Sequence, residues 1–200
     1  MNDLDVFLFG VLNAHATSPV WLIDLTGWFS QHFPDIAIAS MLLTLLVGSP
    51  RLRRGVALCL IGMLVAWCIT RLVRWGFPLE RPYELGLGTK WVEHNARPRF
   101  PSLHAAVAFA FAAGMSRWCS ALHWRWIVPL AAWGAAWLMG WSRVYLGVHL
   151  PLDILAGWIV GMVSVWLVHT LGRQLARRFT PRGKFAAYWF RRESPSAPHK

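Results

Sequence analysis

The chain reads as an all-α integral membrane protein, a bundle of about six transmembrane helices. Two observations predict this class. Of 200 residues, 56% are hydrophobic and only 14% charged, whereas a soluble domain carries roughly a quarter charged residues. Runs such as "IAIASMLLTLLVG", "GVALCLIGMLVAWCI" and "GWIVGMVSVWLV" contain no charge and are long enough to lie mostly within a bilayer. The mean hydropathy of +0.41 agrees.

The elements follow in order. The opening "MNDLDVFLFG" has no Lys or Arg before its apolar stretch, so it makes a poor signal peptide and is expected to persist as an interfacial or first membrane helix. Spans are predicted near 18–32, 34–49, 54–73, 102–117, 126–142 and 152–171. The first two are short and separated only by "HFPD", which leaves five spans open as well. Pro34, Pro101 and Pro151 suit first-turn or pre-helix positions, where a missing N–H costs nothing. Residues 1–175 are expected to form one membrane-embedded domain and 176–200 a basic cytoplasmic tail on anionic lipid. Cys59, Cys68 and Cys119 show no metal-ligand spacing and read as small packed hydrophobes, with no disulfide framework.

The net charge of +11 would suggest nucleic acid in a soluble chain. Here the cations sit mainly in short loops and the tail, so the bilayer is the expected partner and nucleic acid is not. "SPRLRRG" holds three, "SRWCSALHWRW" two and the tail from Gly172 eight, which puts those segments on the cytoplasmic side. The loops 74–101 and 143–151 then face outward, where cations are disfavoured. They nevertheless hold Arg74, Arg81, Lys90, Arg97, Arg99 and Arg143, against Glu80, Glu84 and Glu93. A bound anion would account for that excess.

Three polar clusters fall at these loops: Arg74 and Arg81 in "RWGFPLERP", Ser102 and His104 in "PSLH", and Arg143, His149 and Asp153 in "SRVYLGVHLPLD". Guanidinium groups bind phosphate oxygens bidentately and offset charge in the transition state of phosphoryl transfer. Ser102 and the N–H groups opening its helix add donors for an anion. Two histidines can divide the roles of nucleophile and general acid. Asp153, one helical turn beyond His149, can accept a bond from one ring nitrogen and leave the other to attack. No metal or other cofactor is required. By contrast His15, His32, His123 and His169 read as structural, and Arg71, Arg117 and Arg125 as snorkelling cations. Asp24 reads as interfacial or locally paired.

The pattern Arg74-x6-Arg81-Pro82, Pro101-Ser102-Leu103-His104 and Ser142-Arg143-x5-His149-x3-Asp153 resembles the three signatures of the type 2 phosphatidic acid phosphatase (PAP2) superfamily, over roughly residues 71–165. That superfamily holds membrane lipid phosphatases and soluble vanadium haloperoxidases. The resemblance implies that His149 is a nucleophile forming a phosphohistidine, that Asp153 orients it, and that His104 protonates the leaving oxygen. It also implies that Arg74, Arg81, Ser102 and Arg143 hold the phosphate. Two positions depart from the pattern: Arg74 stands where Lys is usual, and Leu103 where Gly is common.

Within the superfamily the chain is most similar to bacterial undecaprenyl-diphosphate phosphatases. This implies an enzyme of the bacterial inner membrane, its active site on the external face, that recycles the cell-wall carrier lipid. Lys90, Arg97 and Arg99 would be additional headgroup contacts suited to a diphosphate. Alternatives are a phosphatase for phosphatidylglycerol phosphate, phosphatidic acid or lipid A 1-phosphate, a lipid phosphotransferase, or a non-catalytic lipid-binding or transport protein. No obligate protein partner is expected.

Overall fold

The structure, a computed structural model, describes residues 2–93, 98–118 and 126–179. Arg97, Cys119, His123, Arg125 and the tail from 180 lie outside those residues. The described chain is all-helical. It comprises α1 (Asp3–Leu12), α2 (Val20–Val47), α3 (Pro50–Gly76), a 3₁₀ turn at Pro82–Leu85, α4 (Leu103–Trp118), α5 (Ile127–Tyr145) and α6 (Pro151–Phe179).

The helical bundle matches the sequence reading, but its partition differs at one place. Residues 18–32 and 34–49 are not two spans: α2 runs unbroken through Pro34. Length explains this, because either half alone would fall short of the roughly 30 Å hydrocarbon core. As one helix of 28 residues, the segment reaches about 42 Å and crosses easily. Pro34 removes a single backbone donor, the one that would serve the carbonyl of Ser30. A membrane helix tolerates this where polar neighbours are at hand. The sixth helix is instead α1, whose ten residues extend only about 15 Å.

By length and apolar composition α2, α3 and α6 each qualify to cross a membrane. The shorter α4 sits at the centre, packed on α3, α5 and α6. Its buried face is nearly all small: Ala105, Ala106, Ala110, Ala112, Ala113 and Gly114. Opposite it, Gly157 and Gly161 of α6 come so close that a Cβ on Gly161 would lie 2.7 Å from Ala106 O. Small residues spaced by four let membrane helices approach backbone to backbone, where dispersion contacts hold them. Larger side chains fill the flanks. Met41, Val56, Cys59, Met63 and Val165 pack on one side of α4, and Phe9, Val144, Leu150 and Ile154 on the other. The end of α3, the starts of α4 and α6, and the end of α5 therefore meet at one end of the bundle, together with α1.

Candidate active site

At this end the loop after α3 folds back over the bundle. Its 3₁₀ turn is closed by Glu84, which accepts from the Arg81 backbone N–H at 2.7 Å. Asn13, just beyond α1, fastens the next stretch. Its Oδ1 accepts from Thr89 N, and its Nδ2 donates to the carbonyls of Thr89 and Tyr145 at 3.1 and 3.0 Å. Trp91 adds a bond from its indole to Ala14 O. Gly147 makes the crossing possible: its φ is +77°, and a Cβ there would lie 2.0 Å from Thr89 O.

Beneath this clasp lies a buried polar cluster. His149 is 1% and Asp153 0% exposed. The Nδ1 of His149 is 3.3 Å from Asp153 Oδ2, which also accepts from Leu150 N at 2.9 Å. Pro151 starts α6, so Asp153 stands in its first turn, where a carboxylate is favoured by the helix dipole. A second carboxylate reaches the same helix end from α1: Asp5 accepts from Leu152 N at 2.9 Å. Burial pushes the Asp5 carboxyl above the usual carboxylate range, and the Leu152 bond pulls it back.

The arginines surround this pair. Arg81, fully buried, donates from Nη1 to Val148 O at 2.7 Å. Burial draws its guanidinium below the ordinary arginine range, and nearby Glu84 and Asp153 oppose that pull. Arg143, 2% exposed, donates from Nη1 to Ser30 Oγ in α2 at 2.6 Å. Both Arg74 and Arg81 are near enough to repel it electrostatically. Arg74 donates from Nε and Nη2 to Pro101 O and from Nη2 to Arg99 O, so it braces the segment leading into α4.

That segment ends at Ser102, whose N–H bonds to the backbone carbonyl of Asp153 at 3.0 Å. The Leu103 position needs no glycine, because Leu103 is the first residue of α4 and no described non-glycine residue has positive φ. Leu103 and His104 then form part of the wall of an apolar cavity of about 180 Å³. Phe33, Ala37, Met63, Trp67, Ala108 and Met139 line it further down. Its volume suits a branched five-carbon group, since an apolar cavity of about 150 Å³ holds benzene.

The hydrogen-bonded cluster thus unites Arg74, Arg81, Ser102, Arg143, His149 and Asp153, with His104 two residues along α4. Two of the residues expected to give extra headgroup contacts also make contacts within the protein. Lys90 stands over the Tyr83 ring at 4.8 Å, and Arg99 bonds Asp153 Oδ1 at 2.6 Å. Asn13, Ser30 and Asp5 were not singled out from the sequence. Ser30 did carry a signal, being a polar residue four before a proline inside an apolar run. For Asn13 and Asp5 there was none, because their partners lie 76 to 147 residues away.

Comparison with known proteins agrees with this architecture. Residues 55–177 match the PAP2 superfamily model. The chain is 31% identical over 188 residues to the Escherichia coli (strain K12) protein named "Putative undecaprenyl-diphosphatase YbjG", covering 89% of each chain. Its fold resembles the crystal structure of Aquifex aeolicus LpxE, with a TM-score of 0.70 at 18% identity over 84% of this chain and 95% of that one. It also resembles the Bacillus subtilis transmembrane PAP2-type phosphatidylglycerolphosphate phosphatase, with a TM-score of 0.61 at 21% identity over 86% of each chain. Match and architecture together give one conclusion: the chain belongs to the PAP2 superfamily, as a membrane lipid phosphatase.

Proposed function

We propose that the protein removes the terminal phosphate of undecaprenyl diphosphate through a phosphohistidine, at the outer face of a bacterial inner membrane. The observation that carries this reading is the His149–Asp153 couple. It is buried among arginines at one end of the bundle and bonded through its Asp153 carbonyl to Ser102, two residues before His104 in the wall of an apolar cavity. The similarity to the Escherichia coli protein named an undecaprenyl-diphosphatase supports the choice of lipid. The Lys and Arg of "SPRLRRG", "SRWCSALHWRW" and the tail support a cytoplasmic side for those segments, and so the outer face for the two loops of the site.

In this mechanism Asp153 holds the Nδ1–H of His149, leaving the Nε2 lone pair to attack the terminal phosphorus. As the N–P bond forms, the bond from phosphorus to the bridging oxygen breaks. His104 gives that oxygen its proton, and undecaprenyl phosphate leaves. Water then attacks the phosphohistidine and passes a proton to His104. The N–P bond breaks, inorganic phosphate departs and both histidines are restored. Arg74, Arg81 and Arg143 offset the charge gathering on the phosphoryl oxygens. The cavity takes the first prenyl units, each buried CH₂ contributing about 0.8 kcal/mol.

The test is phosphate release by purified protein in detergent from undecaprenyl diphosphate, phosphatidylglycerol phosphate, phosphatidic acid and lipid A, with His149→Ala alongside. Preference for the polyprenyl diphosphate, lost in the variant, is the expected result. Preference for a glycerophospholipid or lipid A would keep the mechanism and replace the substrate. Full activity in His149→Ala would overturn the mechanism itself.

A further inference from the structure

We propose that Arg99 is a positioning residue whose guanidinium fixes the Asp153 carboxylate, so that the carboxylate in turn fixes the ring of His149. The inference rests on the phosphohistidine reading and assigns Arg99 a place different from the headgroup contact its charge suggests.

The two oxygens of Asp153 are used differently. Oδ2 accepts from Leu150 N and faces His149 Nδ1. Oδ1 accepts a charge-assisted bond from Arg99 Nη1 at 2.6 Å. Among the described residues that bond is what holds Oδ1. The side chain of Arg99 is 10% exposed and that of Asp153 0%, so neither water nor salt screens the pair appreciably. A carboxylate held through one oxygen alone could turn about its Cβ–Cγ bond or take up a proton. Either change would release the His149 ring from its working orientation and tautomer.

Arg99 is itself held from behind. Its N–H bonds to Leu79 O at 3.0 Å, and its carbonyl accepts from Arg74 Nη2 at 3.2 Å. Three residues later Ser102 N bonds to Asp153 O at 3.0 Å. The segment 99–102 therefore meets Asp153 twice, by side chain and by backbone, and Arg74 braces it from α3. One chain of contacts leads from Arg74 through Arg99 and Asp153 to His149. The Nε of Arg99 is buried and has no hydrogen-bond partner among the described residues. A direct contact with substrate phosphate through that atom is the competing role, and the experiment must separate the two.

Kinetics of Arg99→Met and Arg99→Lys, alone and with Asp153→Asn, make the separation on undecaprenyl diphosphate or whichever lipid phosphate the wild type turns over best. Positioning predicts that Arg99→Met lowers kcat on the order of 10²-fold and leaves KM within about twofold. Arg99→Lys should restore most of kcat, and Arg99→Met should cost little more once Asp153→Asn is present. A raised KM with kcat intact, or full additivity with Asp153→Asn, would overturn the proposal in favour of a phosphate contact. The second readout does not need turnover. In ¹⁵N-histidine-labelled protein, the His149 signals, identified by their loss in His149→Ala, should show one tautomer with the proton on Nδ1. Arg99→Met should mix or shift them, and unchanged signals there would also overturn the proposal. Absence of wild-type turnover on every lipid would instead count against the phosphatase reading, and the spectra would still decide the role of Arg99.

Discussion

Arg143 donates a 2.6 Å hydrogen bond to the hydroxyl of Ser30, joining α5 to the middle of α2 across 113 residues of sequence. The bond lies one turn before Pro34, where the helix is short of a backbone donor. The arginine proposed to hold the phosphate is thus anchored from a helix that supplies none of the sequence signatures. A hydrogen bond to a charged group contributes about 1.5–3 kcal/mol. Ser30→Ala is therefore expected to lower kcat/KM by at least about tenfold. The measurement is a double-mutant cycle with Arg143→Ala, in which the Ser30 effect should vanish. An undiminished effect in that background would show that Ser30 acts elsewhere.

Asp153→Asn separates orientation from binding. The amide keeps the shape of the side chain, but its NH₂ can face His149 and favour the wrong tautomer. We expect kcat to fall on the order of 10²–10⁴-fold with little change in KM. Steady-state kinetics on the preferred lipid check this, and a matched loss in apparent affinity would contradict the assignment.

Gly147→Ala probes the crossing of the two loops. The residue has φ +77°, and the added methyl would press on Thr89 O and the Asn13 amide. Backbone strain of this kind costs about 1–3 kcal/mol, so the thermal midpoint in detergent should fall. The loop carrying Arg81 should open as well, which limited proteolysis of the 83–92 region would detect. A variant as stable and as protected as wild type would mean that the clasp does not hold the site closed.

Ala108→Phe fills part of the cavity below His104. Losing room for one apolar group of that size forfeits about 1.5–3 kcal/mol of burial. KM for a long-chain substrate should therefore rise roughly tenfold or more. Hydrolysis of a short-chain phosphate ester, which does not enter the cavity, should be nearly unchanged. Equal losses on both substrates would assign the cavity to packing and not to the lipid tail.

The residues proposed for the site stand out in the sequence for a physical reason. Arg81, His104, Arg143, His149 and Asp153 are expensive in an apolar chain, so each stands out by its cost, and their spacing repeats a known pattern. The all-helical architecture was legible for a related reason, since the apolar runs leave the chain little else to do in a bilayer. What stayed hidden is pairing. Charge marks Arg99 as a cation but does not reveal whether its partner is a phosphate or Asp153. Asp5 looks like an ordinary first-turn acid of α1, and only the folded chain brings it to Leu152. Pro34 was read as the start of a helix because local signals carry no information about the length a span must reach.

The bond from Leu152 N to Asp5 ties the first helix to the last across 147 residues. At a synthesis rate of roughly 5–20 residues per second, α1 waits on the order of ten seconds or longer for its partner. The floor of the site is laid only when α6 arrives, so no shortened nascent chain can assemble His149, Asp153 and the arginines. The His149–Asp153 contact therefore forms only when the last helix is in place, and a truncation before α6 removes Asp153 and leaves His149 without it.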